Sequence, residues 1–260
     1  MCRILCEDAS LGTGSALTWE PSVRSLPMRK VLFVKHEETE GPGFLEDAFR
    51  ESGWNIGLLE VWKERRLSFE GADVVVSLGG PMSAHDDCSY PFISEEICAV
   101  QERLDSGRPF VGICLGAQLL SLAGGGLVSR GFAAEKGHYE VALTRAGLSD
   151  PLFRGFPATV PVFQWHDDVF TVPPGGERLA EGVACLDQAF RLGNAVGIQF
   201  HLEIGQAEFE KMAAREATGN RMYSVRDIGV LSGFAGREMQ YRLLCSRLVR
   251  NVTDFLCTAY

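Results

Sequence analysis

The strongest constraint on the fold of this 260-residue chain is an uncharged stretch of nineteen residues at positions 110–128. Its length would allow a helix to span a bilayer, but its composition does not suit one. Five of its residues are glycine, and three of these are consecutive at 124–126, where a helix should stop. The stretch is therefore better divided into a short buried strand at 110–113, a bend at Cys114 and a helix over 115–123.

The cysteine in this stretch lies between two glycines, Gly112 and Gly116, in the sequence GICLG. This is the G-x-nucleophile-x-G spacing of a strand-to-helix elbow, where the bend leaves no room for side chains two positions before and after the nucleophile. The positive end of a helix dipole at such a bend favours a thiolate. The alternative is that Cys114 is only a small buried hydrophobic residue, so a catalytic interpretation needs a partner base.

A candidate base follows 87 residues after the cysteine, in the sequence AVGIQFHLE. An apolar strand brings His201 to its carboxyl end and Glu203 two residues further, and the two-residue period of a strand directs both side chains to one side. His201 can take a proton from Cys114, and Glu203 can orient the imidazole and stabilise its charged form. A solvated histidine and glutamate at a strand end is the alternative, and the elbow makes it the less favoured one.

Strands and helices alternate along the chain from Lys30. Apolar, β-branched runs such as KVLFVKH, NIGLLE and DVVVSLGG are separated by helical segments, and the strand and helix of the elbow follow them. This pattern predicts an α/β fold in one domain, with a mostly parallel sheet covered by helices on both faces. Outside the elbow, helices are predicted at 44–52, 94–106, 206–218 and 236–256, and the later strands at 139–143, 160–165, 188–192 and 196–200.

Composition narrows the possible functions. Acidic residues outnumber basic ones, 34 to 25, and no cluster of Lys and Arg suits a phosphate backbone or an anionic membrane, so we expect neither nucleic acid nor membrane as a partner. The eight cysteines form no C-x-x-C pair, and zinc-finger and nucleotide-loop patterns are absent from the sequence, so no metal or cofactor is expected. The start of the sequence does not resemble a signal peptide, which favours a reduced, cytoplasmic protein.

The first 27 residues differ from the rest of the sequence. Positions 1–27 show no sustained apolar period and end in a proline immediately before Met28. We expect either a loosely ordered N-terminal extension or translation from an upstream start codon, followed by one domain with C-terminal helices over 28–260. Both alternatives predict that the extension is dispensable.

These motifs resemble those of the class I glutamine amidotransferases. GICLGAQLL followed by GIQFHLE is similar to the nucleophile and histidine motifs of that family, and LGGPMSAHDD resembles its oxyanion-loop segment. HEETEGPG, FQWHDDVF and DQAFRLGN resemble blocks of the stand-alone branch that is similar to GMP synthetase. The resemblance covers about residues 29–203 and implies a flavodoxin-like, three-layer α/β/α fold with a mostly parallel central sheet.

The resemblance also implies roles for single residues of the reaction centre. It makes Cys114 the nucleophile, His201 the base and Glu203 the residue that orients the base. It further implies that the backbone N–H groups of Gly80 and Leu115 form the oxyanion hole. The alternative for Gly80 is an ordinary turn after a strand.

Three more residues are expected to bind the substrate. The resemblance places Gln118 near the substrate amide, and Gln164 and His166 belong to the QWHD motif. The alternative for this motif is a packed Trp165 beside a surface histidine.

Two departures from the family pattern bear on the site. The family usually has proline within its H-P-E motif, where this chain has Leu202. The triad stays feasible because only the flanking side chains react. The family block that usually reads E-I-G-W reads EKGHYEV here, so Lys136 and His138, together with Asp86 and Asp87 after the oxyanion loop, would give the pocket a charged rim that could receive a polar leaving group. The alternative is that these charges are only solvated, as most loop charges are.

The resemblance implies hydrolysis of the glutamine side-chain amide through a γ-glutamyl thioester, with ammonia released for an acceptor that the sequence does not identify. We expect a separate synthetase or acceptor subunit, unless the enzyme works alone. One alternative is a γ-glutamyl peptidase that acts on glutathione-like compounds with the same triad. Another is a catalytically silent regulatory or binding subunit, which the presence of all three triad residues argues against.

Overall fold

The structure is a computed structural model that describes residues 29–64, 66–130, 134–218, 233–234 and 236–255. The predicted N-terminal extension lies outside these residues. The division of the chain into an extension and one domain therefore stays a prediction.

The first part of the described chain passes through four strands and three helices, with the second and third strands consecutive, and the chain then runs mostly through strands. The strands are β1 (Lys30–Lys35), β2 (Asn55–Glu60), β3 (Val74–Ser77), β4 (Phe110–Ile113), β5 (Val128–Ser129), β6 (Glu135–Leu143), β7 (Thr159–His166), β8 (Val169–Phe170), β9 (Glu177–Glu181), β10 (Asp187–Leu192) and β11 (Ala195–Ile198). The helices are α1 (Phe44–Glu51), α2 (Phe92–Asp105), α3 (Leu115–Ala123), α4 (Arg145–Ser149), α5 (Gln206–Thr218) and α6 (Glu238–Phe255).

The described residues form a nine-stranded sheet in the order β2-β1-β3-β4-β11-β10-β9-β6-β7. The first five of these strands are parallel neighbours, and the remaining four continue the sheet in antiparallel pairing. Neighbouring parallel strands have their carboxyl ends at one edge of the sheet, which is where ligands bind in folds of this class. The segments that leave β3, β4 and β11 therefore meet at that edge, and they carry Gly80, Cys114 and His201.

Apolar side chains on both faces of the sheet are covered by helices. In β1, Val31 and Phe33 pack in a cluster with α1, α5 and α6, whereas Leu32 and Val34 pack in a second cluster with α2 and α3. This alternation buries both faces of the strand, as a parallel sheet requires. The predicted flavodoxin-like, three-layer class of fold is confirmed.

The uncharged stretch divides as predicted. The strand ends at Ile113 and the helix spans Leu115–Ala123, where Gly124 follows as the C-cap. Within the described part of the chain, no helix has the length and hydropathy needed to cross a bilayer.

The antiparallel part of the sheet differs most from expectation. The strand β9 is absent from the predicted elements, because charged residues flank its buried Leu179 and Ala180 in the sequence ERLAE. β6 begins at Glu135, four residues before the predicted start, and β11 ends at Ile198, two residues before the predicted end. His201 therefore lies three residues beyond the end of the last strand rather than directly after it.

Candidate active site

The backbone at Cys114 is held in a strained conformation between β4 and α3. Among the described non-glycine residues, Cys114 alone has a positive φ, of 51°. Such a conformation costs about 1–3 kcal/mol and persists only where the surroundings impose it. A Cβ atom on Gly112 would lie less than 3.0 Å from the Gly116 carbonyl, and a Cβ atom on Gly116 would lie equally close to the Ser77 backbone. The predicted need for glycine at both positions is confirmed.

The two N–H groups predicted to form the oxyanion hole belong to neighbouring segments. A Cβ atom on Gly80 would be 3.0 Å from the side chain of Leu115. In the part of the chain that the structure describes, neither of these N–H groups donates a hydrogen bond, whereas the Cys114 N–H donates to the Ile198 carbonyl at 2.8 Å. Unpaired donors at the first turn of a helix can bind a developing negative charge. Their role as an oxyanion hole stays a prediction.

The segment that carries His201 is fixed to β7 by its backbone. The His201 N–H donates to the Phe163 carbonyl at 2.8 Å, and the Phe163 N–H donates to the His201 carbonyl at 3.1 Å. The Nδ1 atom of His201 lies 2.5 Å from Glu203 Oε1, and the Leu202 N–H donates to Glu203 Oε2 at 2.9 Å. Because proline has no N–H, Leu202 gives this glutamate a donor that the proline of the family motif would lack.

The His201–Glu203 pair is buried, with 3% and 5% of the two residues exposed. Burial lowers the pKa of His201, but the charge of Glu203 and the interaction with Cys114 raise it more, so the pKa lies well above the ordinary value of 6.5. The raised pKa favours the charged imidazole, which is the state that can pair with a thiolate.

The other ring nitrogen of His201 faces the elbow. A Cβ atom on Gly79 would be 3.1 Å from His201 Cε1 and 3.6 Å from Cys114 Cβ, so the two side chains meet at this glycine. His201 Nε2 is buried and has no hydrogen bond of normal geometry to any described atom. It is therefore free to exchange a proton with a group bound between the histidine and the cysteine.

The three predicted substrate-binding residues are all buried and are linked by hydrogen bonds. Gln118 donates through Nε2 to the Asp168 carbonyl at 3.1 Å, and His166 donates through Nδ1 to the same carbonyl at 3.0 Å. Gln164 lies in β7 with His166, and its Nε2 donates to Gln188 Oε1 at 2.7 Å. Gln188 Nε2 and His166 Nε2 both contact Glu135 Oε2, at 2.8 and 3.2 Å, so Gln164 is linked to His166 through Gln188 and Glu135 and only indirectly to Gln118. Contact with substrate stays a prediction for all three.

Several polar residues at the site are not singled out by the sequence. The Gln199 side chain donates to Cys114 Sγ at 3.8 Å, and its Oε1 has no partner among the described atoms. The Ser83 hydroxyl donates to Asp168 Oδ2 at 2.5 Å and accepts from Arg130 Nε at 3.2 Å. Gln199 could have been identified from the sequence, because it lies inside the GIQFHLE motif two residues before His201. The contacts of Ser83 and Arg130 join distant segments, and the sequence gives no signal for them.

The charged rim expected beside the pocket is present only in part. The prediction that His138 contributes to this rim is wrong. Its Nδ1 lies 2.7 Å from the Tyr241 hydroxyl, and its ring stacks on the Tyr241 ring, so it packs against α6 instead. Lys136 is only 11% exposed and its Nζ lies 3.4 Å from Asp167 Oδ1. Asp86 forms a partly exposed ion pair beside the oxyanion loop and does contribute charge there.

Together these groups suit acyl transfer from an amide. They supply a cysteine at a helix start, a charged imidazole with a buried acidic partner, and two unpaired N–H donors. No group of three or more His, Cys, Asp or Glu side chains in the described residues could hold a metal ion. This arrangement can form a covalent thioester and then pass the acyl group to water.

Known proteins resemble this chain over most of its length. The family model for glutamine amidotransferase class-I matches residues 45–217. The solved structure of a glutamine amidotransferase from Thermotoga maritima is 33% identical, with a TM-score of 0.76 and coverage of 86% of this chain and 98% of that one. YfeJ of Salmonella typhimurium, named as a glutamine amidotransferase-like protein, is 29% identical over 226 residues, which are 82% of this chain and 94% of YfeJ.

A GMP synthase matches over a shorter region. The enzyme from Pyrobaculum aerophilum is 33% identical over 158 residues, which are 58% of this chain and 29% of that protein. Because the family model and the Thermotoga maritima enzyme both match most of its length, this chain belongs to the class I glutamine amidotransferases, which hydrolyse the glutamine amide with a cysteine nucleophile.

Proposed function

We propose that this protein hydrolyses the side-chain amide of glutamine through a γ-glutamyl thioester on Cys114. In this proposal His201 transfers the protons and Glu203 orients it. The observation that carries the proposal is the strained elbow at Cys114, which lies against a buried His201–Glu203 pair whose Nδ1 and Oε1 atoms are 2.5 Å apart. A strained backbone at a nucleophile has a functional explanation, since a strand-to-helix elbow places the nucleophile at the edge of the sheet where substrates bind.

In the first half of the reaction the Cys114 thiolate attacks the amide carbon, and the carbonyl electron pair moves to oxygen. The N–H groups of Gly80 and Leu115 stabilise this oxyanion. The oxyanion then collapses and the carbon–nitrogen bond breaks, while His201 Nε2 donates its proton to the leaving nitrogen. Ammonia departs and a γ-glutamyl thioester remains on Cys114.

In the second half a water molecule attacks the thioester carbon, and the neutral His201 accepts a proton from it. A second oxyanion forms in the same hole and collapses, and this step breaks the carbon–sulfur bond. Glutamate leaves, and the thiolate of Cys114 and the charged imidazole of His201 are restored. The net reaction converts glutamine and water into glutamate and ammonia.

Glu203 acts through the histidine rather than on the substrate. Its Oε1 accepts from Nδ1, which leaves Nε2 to serve the reacting atoms, and its charge stabilises the imidazolium. Its second oxygen accepts from the Leu202 N–H at 2.9 Å, so both carboxylate oxygens have a donor while the ring changes its charge. The backbone carbonyl of Glu203 accepts from the Phe44 N–H at 2.9 Å, which fixes this segment to the start of α1.

We also propose that the ammonia passes to a separate synthetase or acceptor protein. In Archaeoglobus fulgidus, a relative named as one subunit of a GMP synthase is 36% identical over 104 residues, which are 39% of this chain and 55% of that relative. A protein named as one subunit implies a further one, which supports division of the reaction between two chains. The five cysteines with described positions are free, which supports a reducing compartment such as the cytoplasm.

A γ-glutamyl peptidase is the second candidate function. The observation in its favour is the polar wall beside the oxyanion loop, where Arg130 pairs with Asp86 and also donates to Ser83. The side chains of Arg130 and Asp86 are 56% and 34% exposed, so they are accessible to the polar leaving group of a larger substrate.

A comparison of substrates on the purified full-length protein tests both candidates. We expect slow release of ammonia from glutamine in the absence of a partner, and lower kcat/KM values for γ-glutamyl dipeptides and glutathione. A strong preference for the peptides would reverse this ranking, because discrimination depends on the leaving-group side of the pocket. No release from any of these substrates would instead favour a partner-dependent enzyme or a silent subunit. Cys114→Ala is the control, because any ammonia or amine release that disappears in this variant comes from this site.

A further inference from the structure

A buried charged network lies beneath the oxyanion loop and joins three elements of the fold. His36 follows β1, Ser77 ends β3 and Glu96 lies in α2. His36 Nε2 is 2.8 Å from Glu96 Oε2, and the Ser77 hydroxyl donates to Glu96 Oε1 at 2.6 Å. The side chains of His36 and Glu96 are both completely buried. A pair of apolar side chains could fill this space without the cost of burying two charges, so packing alone does not account for the network.

The network ends on the backbone of the oxyanion loop. His36 Nδ1 donates to the Gly79 carbonyl at 3.1 Å. That carbonyl and the Gly80 N–H belong to one peptide unit, and because the unit is planar and trans the two groups point in opposite directions. A donor that fixes the Gly79 carbonyl on the side of His36 therefore directs the Gly80 N–H to the other side.

This peptide unit has little resistance of its own to rotation. It joins two glycines, whose backbones adopt a wide range of conformations, so the unit can flip at small steric cost. A flip would replace the N–H with a carbonyl oxygen, which repels an oxyanion. A hydrogen bond from beneath is therefore needed to keep one orientation.

We propose that His36, held by Glu96, is a positioning residue that keeps the Gly80 N–H directed at the oxyanion of the reaction. The inference rests on the proposed function, because it assigns the Gly80 N–H to the oxyanion hole. The pKa of His36 is consistent with this role. Burial lowers it, but the charge and hydrogen bond of Glu96, with a smaller contribution from Glu40, raise it above 6.5. The partners of both ring nitrogens are acceptors, so the site suits the charged ring, with one N–H for Gly79 and one for Glu96.

Substitution of His36 tests the proposal. His36→Leu removes the donor and is expected to lower kcat for glutamine on the order of 10- to 100-fold with little change in KM, because an oxyanion exists only in the transition state and intermediate. His36→Asn keeps an N–H donor near the position of Nδ1 and is expected to restore part of kcat.

Alkylation of Cys114 by iodoacetamide separates positioning from general damage. Displacement at a saturated carbon forms no oxyanion, so the alkylation rate of the peptide that contains Cys114 should be the same in wild type and in the His36 variants. This rate is followed by mass spectrometry, because other cysteines of the chain also react. Equal losses of alkylation and turnover in His36→Leu would overturn the proposal in favour of a collapsed site.

Glu96→Gln provides a second test that keeps the shape of the network. The amide of the new side chain can accept from Nε2 of a charged His36 or donate to Nε2 of a neutral one, so in both states Nδ1 keeps the proton that it donates to the Gly79 carbonyl. Turnover should therefore stay much closer to wild type in Glu96→Gln than in His36→Leu. A loss in Glu96→Gln as large as that in His36→Leu, or an unchanged kcat in His36→Leu beside an active wild type, would overturn this inference alone. An inactive wild type would overturn the proposed function and this inference with it.

Discussion

Replacement of Gly112 by alanine is expected to force the strand and the helix of the elbow apart. The added Cβ would lie less than 3.0 Å from the carbonyl carbon and oxygen of Gly116 and from the Ala117 nitrogen. These are backbone atoms, which cannot rotate away as the end of a side chain can. Overpacking usually costs about 1–3 kcal/mol, and three backbone contacts place this change near the upper end. For a chain of this size, about 3 kcal/mol lowers Tm by roughly 6–12 °C.

The same displacement should reduce activity, because it moves Cys114 relative to His201. A shift of about 1 Å between reacting groups can cost on the order of 100-fold in rate. Differential scanning calorimetry and glutamine turnover measure the two effects. Gly236→Ala is the matched control, since the nearest atom to its Cβ would be 3.9 Å away and its Tm should stay nearly unchanged. Unchanged Tm and turnover in Gly112→Ala, or equal losses in both variants, would refute the steric argument.

Three further predictions concern the histidine, its pH dependence and the N-terminus. His201→Asn should reduce turnover on the order of 1000-fold or more, whereas Glu203→Gln should retain more activity because an amide can still position the ring; negligible effects of both would place the base elsewhere. Because the folded pKa of His201 is raised above 6.5, the stability from its charge is complete below that pH and is lost as pH rises through the folded value. The Tm difference between wild type and His201→Asn should therefore shrink toward alkaline pH, and a difference that grows would contradict this sign. A chain that begins at Met28 should fold and turn over substrate like the full chain, and a loss of either would show that residues 1–27 are needed.

The parallel half of the fold can be predicted from the sequence because its strands are continuous apolar runs. The bounds of β4 and α3 follow from the glycines around Cys114, and these bounds are confirmed. The antiparallel half is harder to predict, because strands such as β9 bury few residues and carry charge at both ends. The start of β6 at Glu135 also escapes prediction, and with it the packing of His138 against α6.

The reacting residues of the site can be predicted because their signals are local. The elbow glycines mark Cys114, and the two-residue spacing marks His201 and Glu203. The groups that surround them depend on contacts between distant segments, as between His36 and Glu96, which are 60 residues apart in sequence. No local pattern encodes such a pair, so the network beneath the oxyanion loop becomes visible only when β1 and α2 are placed in the fold.

Trapping the thioester on Cys114 is the most direct test of the proposed function. Wild-type protein is mixed with glutamine, quenched rapidly in acid and digested, and the peptide that contains Cys114 is analysed by mass spectrometry. We predict an added γ-glutamyl group on Cys114 that forms and decays during turnover, and no adduct and no ammonia release in a folded Cys114→Ala variant. Ammonia release that persists in Cys114→Ala, or turnover by wild type with the acyl group on another residue, would contradict the assignment of Cys114 as the nucleophile.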